Sequence, residues 1–183
     1  MRVIAGARKG HALVTPPGRE IRPTSDRTRT VIFDVLGERV VRARVLDLFA
    51  GAGALGIEAL SRGAEWTDFV DTSRKSLAAI QTNLSRTHLE HHGRVIVEDA
   101  FLFLQQPRPE IAPYDLILAD PPYTFTHYEA LLQLLQSPKI LAPDGTIMLE
   151  TSARLPAPEA EALVLIKERR LGETAARFYQ RKA

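Results

Sequence analysis

From Arg44 onward the hydrophobic positions alternate between short apolar runs and longer stretches with a single apolar face. The runs at residues 45–49, 67–71, 94–98, 114–120 and 145–150 are rich in β-branched and aromatic side chains and read as strands. Between them, residues 54–62 are helical and stop at Gly63, while residues 73–86 place Leu77, Ile80 and Leu84 at core spacing. Further helices are expected at residues 100–105 and 128–135. Residues 162–171 and 175–180 close the chain as an antiparallel pair. Strand–helix alternation of this kind predicts an α/β, Rossmann-like fold. Its sheet would have seven strands, mostly parallel, with an antiparallel C-terminal strand and helices on both faces.

The first 43 residues follow another pattern. Residues 2–5 and 11–14 flank a glycine-bounded turn at residues 6–10, a hairpin-like arrangement ended by Pro16-Pro17-Gly18. Ser25 then precedes a helical stretch in which Val31, Ile32, Val35 and Leu36 are expected to share one face, with Gly37 near its end. There is no internal repeat or low-complexity tract. The expected division is a small extension over residues 1–43 and a Rossmann-like domain over residues 44–183.

Composition narrows the class. With 183 residues and 45% hydrophobic content, the chain can form one domain with a core. No apolar run approaches the roughly 18 residues of a membrane span. The first residues lack the apolar region of a secretory signal, so the cytoplasm is the expected compartment. The absence of cysteine excludes disulfides and thiolate-bound zinc. Charge is uneven beneath the net +2: residues 1–44 carry ten basic and four acidic side chains, and the remainder 14 and 18. A basic head on a mildly acidic body points to a polyanion-binding surface, with Arg2, Arg8, Lys9, Arg22, Arg27 and Arg29 as candidate phosphate contacts.

Two segments carry chemistry. Gly51-Ala-Gly-Ala-Leu-Gly56 sits between a predicted strand and a predicted helix, where glycines allow positive φ and close approach of a nucleotide-like ligand. Asp71 follows the second strand, placed to accept hydrogen bonds from ribose hydroxyls. Those features suit a dinucleotide equally. Asp47, just before the turn with Phe49, tilts the reading, because a carboxylate there suits a cationic methionine moiety and repels a pyrophosphate. Asp99 could accept from an adenine amino group with Ala100 and Phe101 against the ring, or simply cap the next helix. The expected cofactor is S-adenosylmethionine, which makes the fold that of a class I methyltransferase, with Asp47, Phe49, Gly51, Gly53, Gly56, Asp71, Asp99, Ala100 and Phe101 around it.

The second segment is Asp120-Pro121-Pro122-Tyr123, directly after the fourth strand. Two prolines fix the loop at low entropic cost. A nucleobase amine is a weak nucleophile because its lone pair is delocalised. Hydrogen bonds from it to the Asp120 carboxylate and a proline carbonyl would favour a pyramidal nitrogen aimed at a sulfonium methyl. Tyr123 would stack on a base that has left its helix, an interaction worth about 1–3 kcal/mol. His88-Leu-Glu-His-His92 reads as a solvated helix end, and no metal is expected. Trp66 reads as packing.

Taken with Arg2-Val-Ile-Ala-Gly6, Thr15-Pro-Pro-Gly18, Arg22-Pro-Thr-Ser-Asp-Arg27, Glu58-Ala-Leu-Ser-Arg-Gly-Ala64 and Asn83, these motifs give a near end-to-end likeness. The chain resembles the bacterial small-subunit ribosomal RNA methyltransferases of the RsmD type. The resemblance implies methylation of a guanine N2 amine in 16S ribosomal RNA, free or in an assembling small subunit, by a monomeric enzyme. It implies that Gly51, Gly53, Asp71 and Asp99 hold S-adenosylmethionine, that Asp120 to Tyr123 hold the guanine, and that Arg22 to Arg27 close over the site. The chain departs from the family at Asp71 and Thr30, where glutamate is usual, and at Leu171, often aromatic. A DNA adenine-N6 or cytosine-N4 methyltransferase, a non-catalytic nucleic-acid-binding module and an NAD-dependent oxidoreductase are the rival readings.

Overall fold

The computed structural model describes residues 1–16, 25–106 and 113–182. Seven strands form one sheet in the order β3-β2-β1-β4-β5-β7-β6. The strands are β1 (Arg44–Leu48), β2 (Trp66–Asp71), β3 (Gly93–Val97), β4 (Tyr114–Ala119), β5 (Leu141–Ser152), β6 (Leu163–Leu171) and β7 (Thr174–Arg181). The first five are parallel, and β7 inserts antiparallel between β5 and β6. The chain winds outward from β1 to β3 and then returns to lay β4 beside β1. That reversal opens a crevice at the carboxyl ends of β1 and β4, where such sheets bind ligands.

Among the described residues, five α-helices cover the sheet: α1 (Asp26–Leu36), α2 (Ala54–Ser61), α3 (Arg74–Arg86), α4 (Ala100–Gln105) and α5 (Tyr128–Leu135). Alternation along the strands divides the core in two. Val45, Phe69, Leu118 and Met148 meet α1, α2 and α3 on one face, whereas Leu46, Val70, Ile117 and Leu149 meet α4 and α5 on the other. The β5 strand is longer than its apolar run, because Leu141 pairs with Tyr114 before a register shift at the Pro143-Asp144-Gly145 step. Trp66, half-buried at the start of β2, donates its indole N–H to Asp68 Oδ1 at 2.9 Å.

The N-terminal residues pair less than the hairpin pattern suggests. One antiparallel bridge joins Arg2 to Ala12, flanked by backbone bonds from Val3 N to His11 O and from Leu13 N to Met1 O, each 3.0 Å. Gly6 explains why: at φ +80 it lies against the end of α2, where an added Cβ would be 1.9 Å from the Ser61 carbonyl oxygen. Docking on α2 takes the backbone that a longer hairpin would have paired. Val3 and Leu13 are buried in the core beneath α1 to α3.

Helix α1 begins as its sequence suggests, with Ser25 Oγ accepting from Thr28 N at 3.1 Å. Its buried stripe is rotated from the expected one, however. Arg29, Ile32, Phe33 and Leu36 are buried, and Val31 and Val35 only half-buried. A polar residue heads this stripe because two acids lie beside it. Arg29 is 0% exposed and donates to Asp26 Oδ1 and the Arg2 carbonyl, both at 2.7 Å, with Glu58 Oε2 at 4.0 Å. Arg29→Ala should cost about 1–3 kcal/mol of folding free energy in chemical denaturation, because it leaves the Arg2 carbonyl without its donor and Asp26 without this partner.

Candidate active site

The turn after β1 is built from unusual backbone. Phe49, Gly51 and Gly53 have φ of 60, 58 and 74, and Gly53 caps the N-terminus of α2. Two carboxylates hold it. Asp47 Oδ2 accepts from Gly56 N at 2.9 Å, and Asp71 accepts from Gly51 N at 2.9 Å through Oδ2 and from Ser73 N at 2.8 Å through Oδ1. Asp47 is fully buried, and burial raises its pKa well above the usual carboxylate range. The Gly56 N–H opposes that rise, and the charges of Asp120 and Asp71 add to it.

The three glycines differ in what surrounds them. Beside Gly51 a Cβ would meet nothing nearer than the Phe49 carbonyl oxygen at 3.9 Å. At Gly53 it would press on Ile80 and Phe69 at 3.1 and 3.2 Å, and at Gly56 it would collide with Phe69 at 2.3 Å. Gly51 therefore fronts open space at a helix N-terminus, while Gly53 and Gly56 let α2 approach β2 and α3. That open cradle, with the Asp71 carboxylate behind it, fits a nucleoside bearing a cationic amino-acid tail.

Asp99 caps α4, its Oδ1 accepting from Phe101 N at 2.9 Å and Leu102 N at 3.2 Å. The side chain is exposed, so the capping role leaves Oδ2 toward solvent. Ala100 is buried, and Phe101 stacks against Phe125 with ring centroids 6.2 Å apart. Phe125 also meets Phe49 at 5.4 Å and Tyr128 at 5.1 Å. This ring cluster ties the ends of β1, α4 and α5 to the loop that follows β4.

That loop holds Asp120 to Tyr123. Pro121 is buried and Pro122 exposed, and Phe125 N donates to the Pro122 carbonyl at 2.8 Å. The second proline carbonyl thus closes the turn. Tyr123 is 80% exposed, with its ring in solvent. The Asp120 charge acts on Asp47, Tyr128 and Glu150, so these four groups share one pocket of potential. Glu150 and Phe125 join the site without belonging to any motif of the sequence.

The N-terminal segment is fastened to α2, α3 and the glycine turn between β1 and α2. Asn83, buried on α3, accepts from Val14 N at 2.7 Å and donates to the carbonyls of Val14 and Ala52, each at 2.9 Å. Glu58 on α2 accepts from Ile4 N and Ala5 N at 2.8 and 3.0 Å and from Arg62 Nε at 2.8 Å. Ser61 donates to the Ala5 carbonyl at 2.6 Å and accepts from Arg8 N at 2.9 Å. Among the candidate RNA contacts, Arg2, Lys9 and Arg27 are exposed and Arg8 is half-buried. Arg29 is withdrawn into the core and has no surface to offer a phosphate. Arg22 lies outside the described residues, as do Pro17 and Gly18. Thr30 donates to the Asp26 carbonyl at 2.8 Å, and Leu171 is partly buried before the β6–β7 turn at Gly172. Among the described residues no group of histidines and carboxylates could hold a metal ion, and no helix is long and apolar enough to cross a membrane.

The strand order, the antiparallel β7 and the glycine turn facing an Asp-Pro-Pro-Tyr loop define a Rossmann-like methyltransferase fold. A solved structure from Escherichia coli, yhhF, has a TM-score of 0.86 to this chain at 34% identity, covering 100% of this chain and 98% of that one. The family described as "Conserved hypothetical protein 95" matches residues 1–180. Bacillus subtilis YlbH is 37% identical over 100% of both chains. Escherichia coli "Ribosomal RNA small subunit methyltransferase D" is 34% identical over 100% of this chain and 91% of its own. The chain belongs to this small-subunit ribosomal RNA methyltransferase D family.

Proposed function

We propose that this chain transfers a methyl group from S-adenosylmethionine to the exocyclic N2 amine of a guanine in 16S ribosomal RNA. The observation that carries the reading is the placement of the Asp120 loop across the switch point from the open Gly51 cradle, with the Tyr123 ring exposed on the same loop. The family relationship supports ribosomal RNA as substrate.

Gly51 and the α2 N-terminus would receive the methionine portion, Asp71 the ribose hydroxyls, and Asp99 with Phe101 the adenine. When bound, S-adenosylmethionine supplies an electrophilic sulfonium methyl. Tyr123 stacks on the flipped guanine. Asp120 and the Pro121 carbonyl accept the two amine hydrogens, which turns the nitrogen lone pair toward the methyl and draws density onto it. As the nitrogen gains the methyl group it must lose one proton, and the Asp120 carboxylate is the acceptor already hydrogen-bonded to it.

The RNA side rests on the exposed basic residues of the N-terminal segment. A Lys9→Ala, Arg27→Ala pair should bind RNA more weakly and flatten the log–log salt dependence by about 0.7–0.9 for each phosphate no longer neutralised. Its S-adenosylmethionine affinity should stay unchanged. Filter binding across a salt series, with calorimetry for the cofactor, measures both.

The decisive experiment incubates small-subunit RNA and assembling particles with the protein and labelled donor, then locates the modified nucleoside by digestion and mass spectrometry. N2-methylguanosine is expected. Label on adenine N6 or cytosine N4, or no label, would overturn the assignment.

A further inference from the structure

Glu150 ends the apolar run of β5, and the reaction above makes no use of it. Because β4 and β5 are parallel with Ala119 opposite Leu149, Asp120, just past the end of β4, and Glu150, still within β5, are the next residues on two adjacent strands. Alternation gives Glu150 the face of Met148, the face beneath α1 to α3, and gives Asp120 the face of Leu118. Glu150 is 9% exposed, and its Oε2 is buried without a hydrogen-bond partner. Among the described residues, the charged and titratable groups that act on it do not compensate its charge. Asp120 acts from the loop after β4, and the Tyr128 phenol lies within its field on α5. On β7 the neutral Thr174 hydroxyl hydrogen-bonds it. Arg177 on β7 pairs with Leu149 in register and so faces the other side, with its guanidinium held by Glu168, Thr151 and the Leu155 carbonyl.

We propose that Glu150 is a positioning residue for methyl transfer. As a neutral carboxylic acid beside Asp120, it keeps a single negative charge where the target amine is held. Two carboxylates on adjacent strands repel each other and compete for one proton. If Glu150 ionises, Asp120 either takes up a proton or turns away, and in both cases the amine loses its acceptor. Burial, reinforced by the Asp120 charge and opposed by the Thr174 hydrogen bond, lifts Glu150 to about 8. Glutamate therefore retains its proton through neutral pH, and the arrangement fails on the alkaline side. The inference rests on the reading of Asp120 as the amine-holding group.

The test combines a titration with kinetics on the full chain. Carboxyl-labelled glutamate should show by NMR one resonance titrating near pH 8. That resonance should be absent from Glu150→Gln, and its midpoint should move toward the ordinary glutamate range in Asp120→Asn. The wild-type transfer rate at saturating RNA and donor should fall about tenfold per pH unit above that midpoint. Glu150→Gln, which copies the protonated shape, should retain roughly a third or more of the rate and lose the alkaline fall. Glu150→Ala should lose about tenfold in kcat with KM for the donor unchanged. The proposal is overturned if no glutamate titrates above the ordinary range. It is equally overturned if the Glu150→Gln profile superposes on the wild type while Asp120→Ala is inactive. A fully active Asp120→Ala would instead remove the reading of Asp120 and this inference with it.

Discussion

Asp120→Ala should lower kcat for methyl transfer by about 10²-fold or more while leaving S-adenosylmethionine affinity near wild type. The separation follows from where the side chain stands. Asp120 leaves the end of β4, whereas the open cradle at Gly51 lies at the end of β1, and the carboxylate that holds the Gly51 N–H is Asp71. Removing Asp120 takes away an interaction that strengthens as the amine becomes pyramidal, so the loss falls on the transition state. Stopped-flow or quench measurements at saturating RNA, set beside calorimetric titration of the cofactor, resolve the two quantities. A matching fall in cofactor affinity would make Asp120 a cofactor ligand.

The second large effect distinguishes the glycines. Gly51→Val should reduce S-adenosylmethionine affinity at least about 100-fold, close to 2.7 kcal/mol, because the new side chain projects into the open cradle. A left-handed φ adds strain of about 1–2 kcal/mol, which an ordinary domain survives. Gly56→Ala should behave in the opposite way. Its Cβ would meet the Phe69 ring at 2.3 Å and Asp47 Oδ2 at 2.9 Å, so stability should fall by about 1–3 kcal/mol in denaturant titration. Gly53→Val belongs with Gly56→Ala, since its side chain would press on Ile80 and Phe69. If Gly51→Val bound the cofactor normally, the cradle would be elsewhere.

The sheet is legible in the sequence because its strands are short apolar runs with glycines and charges between them. Ala100–Gln105 and Tyr128–Leu135 fall at their expected bounds for the same reason. The α1 stripe is not legible, because its leading member, Arg29, is charged, and a hydrophobicity pattern cannot show that Asp26 and Glu58 neutralise it in the core. Dual use of side chains is hidden in a similar way. Asp71 and Asp99 stand out in the sequence as candidate cofactor acceptors, whereas their role as backbone anchors depends on turns only the fold supplies. Glu150 is obscure in sequence because its significance lies in a strand register with residues about thirty positions away.

The attachment of residues 1–16 bears on how substrate choice can change in such proteins. Glu58, Ser61 and Asn83 all belong to α2 and α3, which adjoin the glycine turn, and each hydrogen-bonds the backbone before Thr15. On the proposed reading of residues 1–16 as an RNA-binding segment, a segment secured in this way is not an interchangeable cassette. A graft from a homologue of different specificity would need its matching α2 and α3 positions to come with it, or the turn at Ala52 would lose its support. New substrate preference is more easily reached by altering the exposed basic side chains on an unaltered backbone than by exchanging the segment itself.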